Sequence, residues 1–160
     1  MCMRYASMRK IDTTNAKGIH TSMFVQGCKH RCKGCWNEIT WDFTGGKELT
    51  KELLNKFIEY SNKDYITGIS ILGGEPFQQE SSEILELLKT LKDKVGKPIW
   101  LWTGYTFNNI PNEYKECLNY IDVLIDGRYV ESLRDLNLEY RGSSNQNLYI
   151  KENNTWKKDS

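Results

Sequence analysis

Net charge is almost absent from this 160-residue chain, in which 22 Lys and Arg face 21 Asp and Glu for a formal +1. No global field therefore draws it to nucleic acid or to an anionic membrane, and any partner has to be recognised locally. Long apolar runs are missing too. Residues 1–10 hold none of signal-peptide length, and no stretch approaches the roughly 20 apolar residues of a membrane span. A soluble, cytoplasmic protein with neither nucleic acid nor membrane as partner is the expectation. There is no internal repeat and no low-complexity segment. The cysteines also argue against a secreted disulfide framework, because five is an odd number and three of them crowd into one loop.

A composition of 39% hydrophobic and 27% charged residues is that of an ordinary globular protein. A chain of this length can bury about two-thirds of its unfolded surface in one core. One domain is expected over residues 1–160, with its core across about 10–150 and a polar tail over 151–160 that frays or meets a partner.

The feature around which the chain is organised is Cys28-Lys29-His30-Arg31-Cys32-Lys33-Gly34-Cys35, three thiols at C-x3-C-x2-C spacing with no fourth cysteine nearby. Iron–sulfur clusters are usually held by four thiolates, so a cubane on three leaves one iron open to a ligand that is not protein. The competing reading is a structural zinc with His30 as fourth ligand. Zinc sites more often pair two C-x2-4-C or H-x3-5-H units a dozen or more residues apart, and His30 inside so short a loop would strain tetrahedral closure. Spacing therefore favours a redox-active cluster. The remaining cysteines, Cys2 and Cys117, are scattered, and Cys117 reads as a small buried hydrophobe.

Along the chain, residues 3–11 read as an edge strand and 13–18 as a turn. A strand from His20 to Val25 delivers the chain through Gly27 into the cysteine loop. Leu49, Leu53, Leu54, Phe57 and Ile58 mark one face of a helix opened by Lys47 or Thr50. A buried strand over residues 66–72 runs into Gly73-Gly74-Glu75-Pro76. Ser81 and Ser82 are candidate caps for a helix with Ile84, Leu87, Leu88 and Leu91 on one face and Gly96 as its stop. Strands over 98–102, 121–125 and 147–150 follow, with a short helix holding Tyr114, Cys117 and Leu118 between the first two. Repeated strand, loop and helix predict an α/β fold with a mainly parallel sheet. About four such units are too few for a closed eight-stranded barrel, so an open, partial βα barrel is expected.

In such folds sites assemble at the C-terminal ends of parallel strands. Four loops should therefore meet on one face: residues 28–35, 73–76, 103–105 and 126–129. Gly73-Gly74 alone would be an ordinary turn. Beside a three-cysteine loop it gains a purpose, since a ligand on an open iron needs a backbone platform. Arg141-Gly142-Ser143-Ser144-Asn145-Gln146 reads, from composition, as a solvated turn. Lys29, His30, Arg31 and Lys33 read as a solvated surface that would favour an anionic ligand or an acidic electron donor.

C-x3-C-x2-C followed by Trp36, with Gly-Gly-Glu-Pro ending a later strand, resembles the radical S-adenosylmethionine enzymes. More narrowly, Phe24-Val25-Gln26-Gly27-Cys28, Cys35-Trp36-Asn37, Leu101-Trp102-Thr103-Gly104-Tyr105, Asp126-Gly127-Arg128-Tyr129 and the Arg141 to Gln146 segment are similar to the activating proteins of anaerobic class III ribonucleotide reductases. The resemblance spans about residues 10–150. It implies a partial barrel of the radical S-adenosylmethionine type and a [4Fe-4S] cluster on Cys28, Cys32 and Cys35. It further implies S-adenosylmethionine as second cofactor, with Gly34, Cys35 and Trp36 along the adenosyl part and Gly73, Gly74 and Glu75 receiving the methionyl ammonium. Thr103 and Asp126 would face the same ligand.

The implied reaction is reductive cleavage of S-adenosylmethionine to methionine and a 5′-deoxyadenosyl radical, which takes hydrogen from a glycine of the reductase. The implied partners are the large catalytic subunit of that reductase and a reduced flavodoxin-type or similar electron donor. Activation of pyruvate formate-lyase or another glycyl-radical enzyme is the nearest alternative within the class. A non-catalytic iron–sulfur electron carrier and a zinc-stabilised binding module are those outside it.

Overall fold

The computed structural model describes residues 3–35 and 38–159. Its strands are β1 (Arg4–Asp12), β2 (His20–Val25), β3 (Lys47–Glu48), β4 (Gly68–Gly73), β5 (Ile99–Trp102), β6 (Val123–Asp126), β7 (Asn147–Glu152) and β8 (Thr155–Asp159). They form one sheet in the order β3-β1-β2-β4-β5-β6-β7-β8. The centre, β2, β4, β5 and β6, is parallel. Its crossovers carry α1 (Lys51–Ser61), α2 (Ser81–Lys94) and a 3-10 helix over Asn112–Tyr120.

Both flanks are antiparallel, β1 against β2 and β3 on one side, and β7 against β6 and β8 on the other. The sheet is therefore mixed rather than mainly parallel. The cause is local: the links on the flanks carry no α-helix, and a parallel pair needs a long crossover, usually helical. The outer side of β1 is not free either, since the two residues of β3 pair with Arg4 and Tyr5.

Helices cover one face of the parallel centre. Met23, Val25, Ile69, Ile71, Ile99 and Leu101 point to them and join Leu54, Phe57, Ile84, Leu87, Leu88 and Leu91 in the main core. Period-two alternation turns the other residues of these strands to the opposite face. There Trp100 and Trp102 pack with Val123, Ile125 and Leu148 in a smaller cluster. Cys117 is buried in the main core, as a small hydrophobe would be.

Thr50 caps α1, its hydroxyl accepting from Leu53 N at 3.2 Å. At α2 the expected serine caps are absent: Glu80 is the N-cap residue, with no side-chain capping bond, and Ser81 is already helical. Gly96 ends that helix with φ 72°.

Residues 151–152 and 155–159 of the polar tail belong to the sheet. β7 and β8 form a hairpin through Asn153 and Asn154, both left-handed at φ 51° and 62°. Two successive left-handed residues are what a tight hairpin turn requires, and Asn tolerates them. Trp156 on β8 lies 5.7 Å from the ring of Phe107, a hydrophobic anchor that a composition-based reading of a polar tail overlooks.

Candidate functional site

The C-terminal ends of β2, β4, β5 and β6 open on a cavity of about 340 Å³. Cys28, Cys32 and Cys35 line it beside Gly73, Gly74 and Glu75 from the turn after β4, Thr103 and Gly104 after β5, and Gly127, Arg128 and Tyr129 after β6. The four loops thus converge as the fold reading anticipates.

The cysteine loop is held from behind by the segment that follows it. Gly27 N donates to Thr40 O at 2.6 Å and Cys28 N to Trp41 O at 3.1 Å. Buried Gln26 adds two donations from its amide, to Ile39 O and Asp42 O. In front, the glycine turn presses against the same stretch. Glu75 N donates to Gly27 O at 2.8 Å, and a Cβ on Gly74 would come within 2.5 Å of that carbonyl oxygen. Gly74 is therefore bare because another part of the chain occupies the space.

Glu75 is 1% exposed. One oxygen accepts from Gly104 N at 2.6 Å and meets His30 Nε2 at 2.7 Å; the other accepts from Phe77 N at 2.9 Å and Thr103 Oγ1 at 2.8 Å. A carboxylate has about four acceptor positions, and here protein donors take them all. Glu75 ties the cysteine loop to the ends of β4 and β5. His30, whose side chain is 4% exposed, packs edge-on against Tyr105 with centroids 4.8 Å apart. A Cβ on Gly104 would lie 2.5 Å from its ring.

Burial pushes the Cys28 thiol up to about 11, against the N–H donations of His30 and Arg31 to its sulfur. Burial also raises Cys32, whose sulfur accepts from the backbone N–H of Tyr129. Loading an iron cluster here has to release these protons. The donor set fits such a group: three cysteines of one loop spread along a cavity wall. Among the described residues no three His, Cys, Asp or Glu side chains are gathered tightly enough to hold a single metal ion. A four-iron cluster takes its thiolates on separate irons.

A family model described as a 4Fe-4S single cluster domain matches residues 14–149. The anaerobic ribonucleoside-triphosphate reductase-activating protein of Vibrio cholerae is 38% identical over 151 residues, which is 92% of this chain and 97% of that protein. The protein of the same name from Enterobacteria phage T4 is 38% identical over 159 residues, 98% of this chain and 100% of its own. That of Escherichia coli strain K12 is 37% identical over 148 residues, 90% and 96% of the two chains. This chain belongs to the family of anaerobic ribonucleoside-triphosphate reductase-activating proteins. With the family comes a domain for an iron–sulfur cluster.

Within this chain, the remaining expected site residues are placed as follows. Gly34 adopts φ 75° and does not line the cavity; a Cβ there would meet the Glu131 carboxyl carbon at 2.8 Å. Trp36 lies outside the described residues, as does Cys2. Asp126 does not line the cavity: its two oxygens accept from Phe107 N and Asn147 N and so join β6 to its neighbours. Lys29 and Arg31 do not simply extend into solvent, since their cations lie 5.7 Å and 5.4 Å from the rings of Phe43 and Trp41.

Two parts of the site escape the sequence reading. One is the wall formed by residues 135–146, where Leu136, Tyr140, Arg141, Gly142 and Gln146 line the cavity. Gln146 pins it, accepting from Gly142 N and Ser143 N and donating to Gly127 O at 2.9 Å. The segment read as a solvated turn is therefore a wall of the site. The other is the turn after β1, whose Thr14 and Asn15 also line the cavity. Asp12 holds that turn: buried, it accepts from Thr14, Asn15 and Ser22. Burial pushes its carboxyl up, but these donors together outweigh it and leave the pKa lowered to about 2. The buried acid two residues before a Thr-Asn pair was the available signal.

Proposed function

We propose that this chain is the glycyl-radical activase of an anaerobic ribonucleoside-triphosphate reductase, working by radical S-adenosylmethionine chemistry. The observation that carries the reading is the opening of a three-thiol loop onto the same cavity as the bare backbone of Gly73 and Gly74. Similarity to the named activating proteins over 90% or more of the chain selects the reductase rather than pyruvate formate-lyase as the partner class.

In this reading Cys28, Cys32 and Cys35 would hold a [4Fe-4S] cluster, with S-adenosylmethionine in the cavity beside it. Bound there, the cluster and S-adenosylmethionine would supply one-electron reductive cleavage of the sulfonium and, through it, hydrogen-atom abstraction from a backbone glycine of the reductase. The chain's own residues orient and enclose. Gly73 and Gly74 offer a side-chain-free floor beside the cysteines. Glu75, Thr103 and Gly104 fix the spacing of three loops through one buried carboxylate. The wall over residues 135–146 lines the cavity, where it would limit access of water and competing hydrogen donors to a bound cofactor.

The parallel centre of the sheet, with its site at the C-terminal strand ends, supports an open βα barrel of the radical S-adenosylmethionine type. A reduced flavodoxin-type or similar protein is the electron donor this reading calls for.

The test is anaerobic reconstitution with iron and sulfide, dithionite reduction, and assay for 5′-deoxyadenosine with and without the large subunit of an anaerobic reductase. Product formation, with a glycyl-radical signal on the added subunit, is expected. A fully loaded cluster that forms no product under either condition would leave an electron carrier.

A further inference from the structure

The cysteine loop has a second side. Lys29, Arg31 and Lys33 are exposed, and none of the three lines the cavity into which the thiols open. Two of these cations are seated on rings of the segment behind the loop: the Lys29 ammonium lies 5.7 Å from the Phe43 centroid and the Arg31 guanidinium 5.4 Å from that of Trp41. A cation held over an aromatic face has less rotamer freedom left to lose when it meets a partner. Arg31 also stands at φ 51°, a left-handed conformation unfavourable for a non-glycine residue and of the kind that collects at functional sites.

The segment that supplies the rings also carries Ile39, 85% exposed and the most exposed large hydrophobic side chain among the described residues. The nearby acids do not cancel the cations. Asp42 is turned into its own loop, accepting from Thr44 N and Oγ1 at 2.8 and 2.7 Å, which leaves Glu38 on that segment. At the far end of the cysteine loop Glu131 borders Gly34, and exposed Arg128 offsets it. Thr40 O and Trp41 O accept from Gly27 N and Cys28 N, so two hydrogen bonds join this surface to the backbone of a cluster ligand and its neighbour. Electrons tunnel better along such a bonded route than across a gap. In the proposed reaction the cavity side receives the cofactor and the partner's glycine, so the electron has to arrive from the other side.

We propose that this outer face, Lys29, Arg31 and Lys33 with Ile39, is the docking surface for the protein that reduces the cluster, a small one-electron carrier with acidic side chains around its redox centre. The assignment rests on the reading of Cys28, Cys32 and Cys35 as cluster ligands. In the docked pair the carrier passes one electron to the cluster and is itself oxidised by one; no proton or group crosses the interface. Complementary charge of this kind speeds encounter and fixes orientation, and salt weakens it.

Binding is measured by anaerobic calorimetry between reconstituted, unreduced protein and two acidic carriers, an oxidised flavodoxin and a plant-type [2Fe-2S] ferredoxin, at low and high salt. Lys29→Gln, Arg31→Gln and Lys33→Gln combined should bind about tenfold more weakly than the wild type at low salt and equally at high salt. Ile39→Ser should bind about tenfold more weakly at both, because an apolar contact is not screened. Iron content, and 5′-deoxyadenosine formed with dithionite, which needs no docking, should keep wild-type values in both variants. With photoreduced flavodoxin as the electron source, product should fall as affinity does. Bound large subunit of an anaerobic reductase should leave carrier affinity unchanged.

Wild-type affinity in both variants, a wild type that binds neither carrier, or binding indifferent to salt would each overturn the assignment. Competition from the large subunit would give the face to that partner, and self-association lost in the variants would give it to a second copy; either result overturns it too. If the combined variant loses iron, Lys33→Gln alone decides: about threefold weaker binding with full iron is expected at low salt, and wild-type affinity or lost iron there makes the loop cations scaffolding. A wild-type protein that takes up no cluster would instead bring down the reading beneath.

Discussion

The two long walls of the cavity are built on different principles. The wall of the cysteine loop and the Gly73-Gly74 turn is made by backbone pressed on backbone. Gly74 sits where no side chain fits, and Glu75 N donates to Gly27 O. The wall over residues 127–146 contains no α-helix and no extended strand; a single bridge, Arg134 with Ser143, and the side chains of Ser143, Asn145 and Gln146 hold it together. The first wall writes itself into a short motif, because close backbone approach demands glycine. The second leaves only a polar string, because amide and hydroxyl side chains that bond backbone inside a protein look like those that bond water.

The largest test of that contrast is Cys32→Ala. A cubane left with two protein thiolates should be lost, so iron and sulfide per chain fall to near background and activation ceases. Wild-type iron content would detach the loop from the cluster.

Gly74→Val comes next. If the glycine served only the ligand, the variant would keep its iron and lose cofactor affinity. Because the new Cβ would collide with the Gly27 carbonyl, one residue before Cys28, overpacking of about 2 kcal/mol is expected in urea unfolding. Iron content should fall together with stability.

Gln146→Ala strips three hydrogen bonds from the opposite wall and should cost about 1–2 kcal/mol. Here iron content should be untouched while S-adenosylmethionine affinity drops. The two variants therefore separate the walls by which readout moves.

The last test concerns acid, and its effect is confined to low pH. Burial raises the Asp12 carboxyl, but the donors of Ser22, Asn15 and Thr14 outweigh it and hold the pKa down at about 2, below the ordinary carboxylate value of about 3.9. A carboxylate with a lowered folded pKa stabilises fully above its unfolded pKa and loses that contribution as pH falls towards the folded one. About 2 kcal/mol should therefore disappear between roughly pH 4 and pH 2. Asp12→Asn should flatten that slope in urea titrations at stepped pH, and an unchanged slope would remove Asp12 as the anchor of the Thr14 and Asn15 turn.

How far the fold can be read from residues alone follows the same division. The helical face of α1 and the buried run of β4 carry their periodicity openly, and Thr50 and Gly96 punctuate where capping physics says they should. The antiparallel flanks are hidden, because strand direction depends on whether a connection crosses the sheet, which residues 127–146 do not reveal. Asn153-Asn154 passed for a loose tail although two left-handed residues between alternating strands make a hairpin. Within the site, the cysteines and the glycines were legible from spacing. That Glu75 spends its carboxylate on His30, Phe77, Thr103 and Gly104 was not, since three of these lie outside the motif and one inside a loop read as solvated.

The contact between Gly74 and Gly27 also bears on any attempt to transplant this site. A C-x3-C-x2-C loop is short enough to graft onto another protein, yet here its entry strand is shaped by a turn nearly fifty positions downstream. The two segments are a single machined joint cut from distant lengths of chain. A scaffold that receives the cysteines without the paired glycines, the buried acid behind them and the parallel register of β2 on β4 would inherit the ligands and lose the seat.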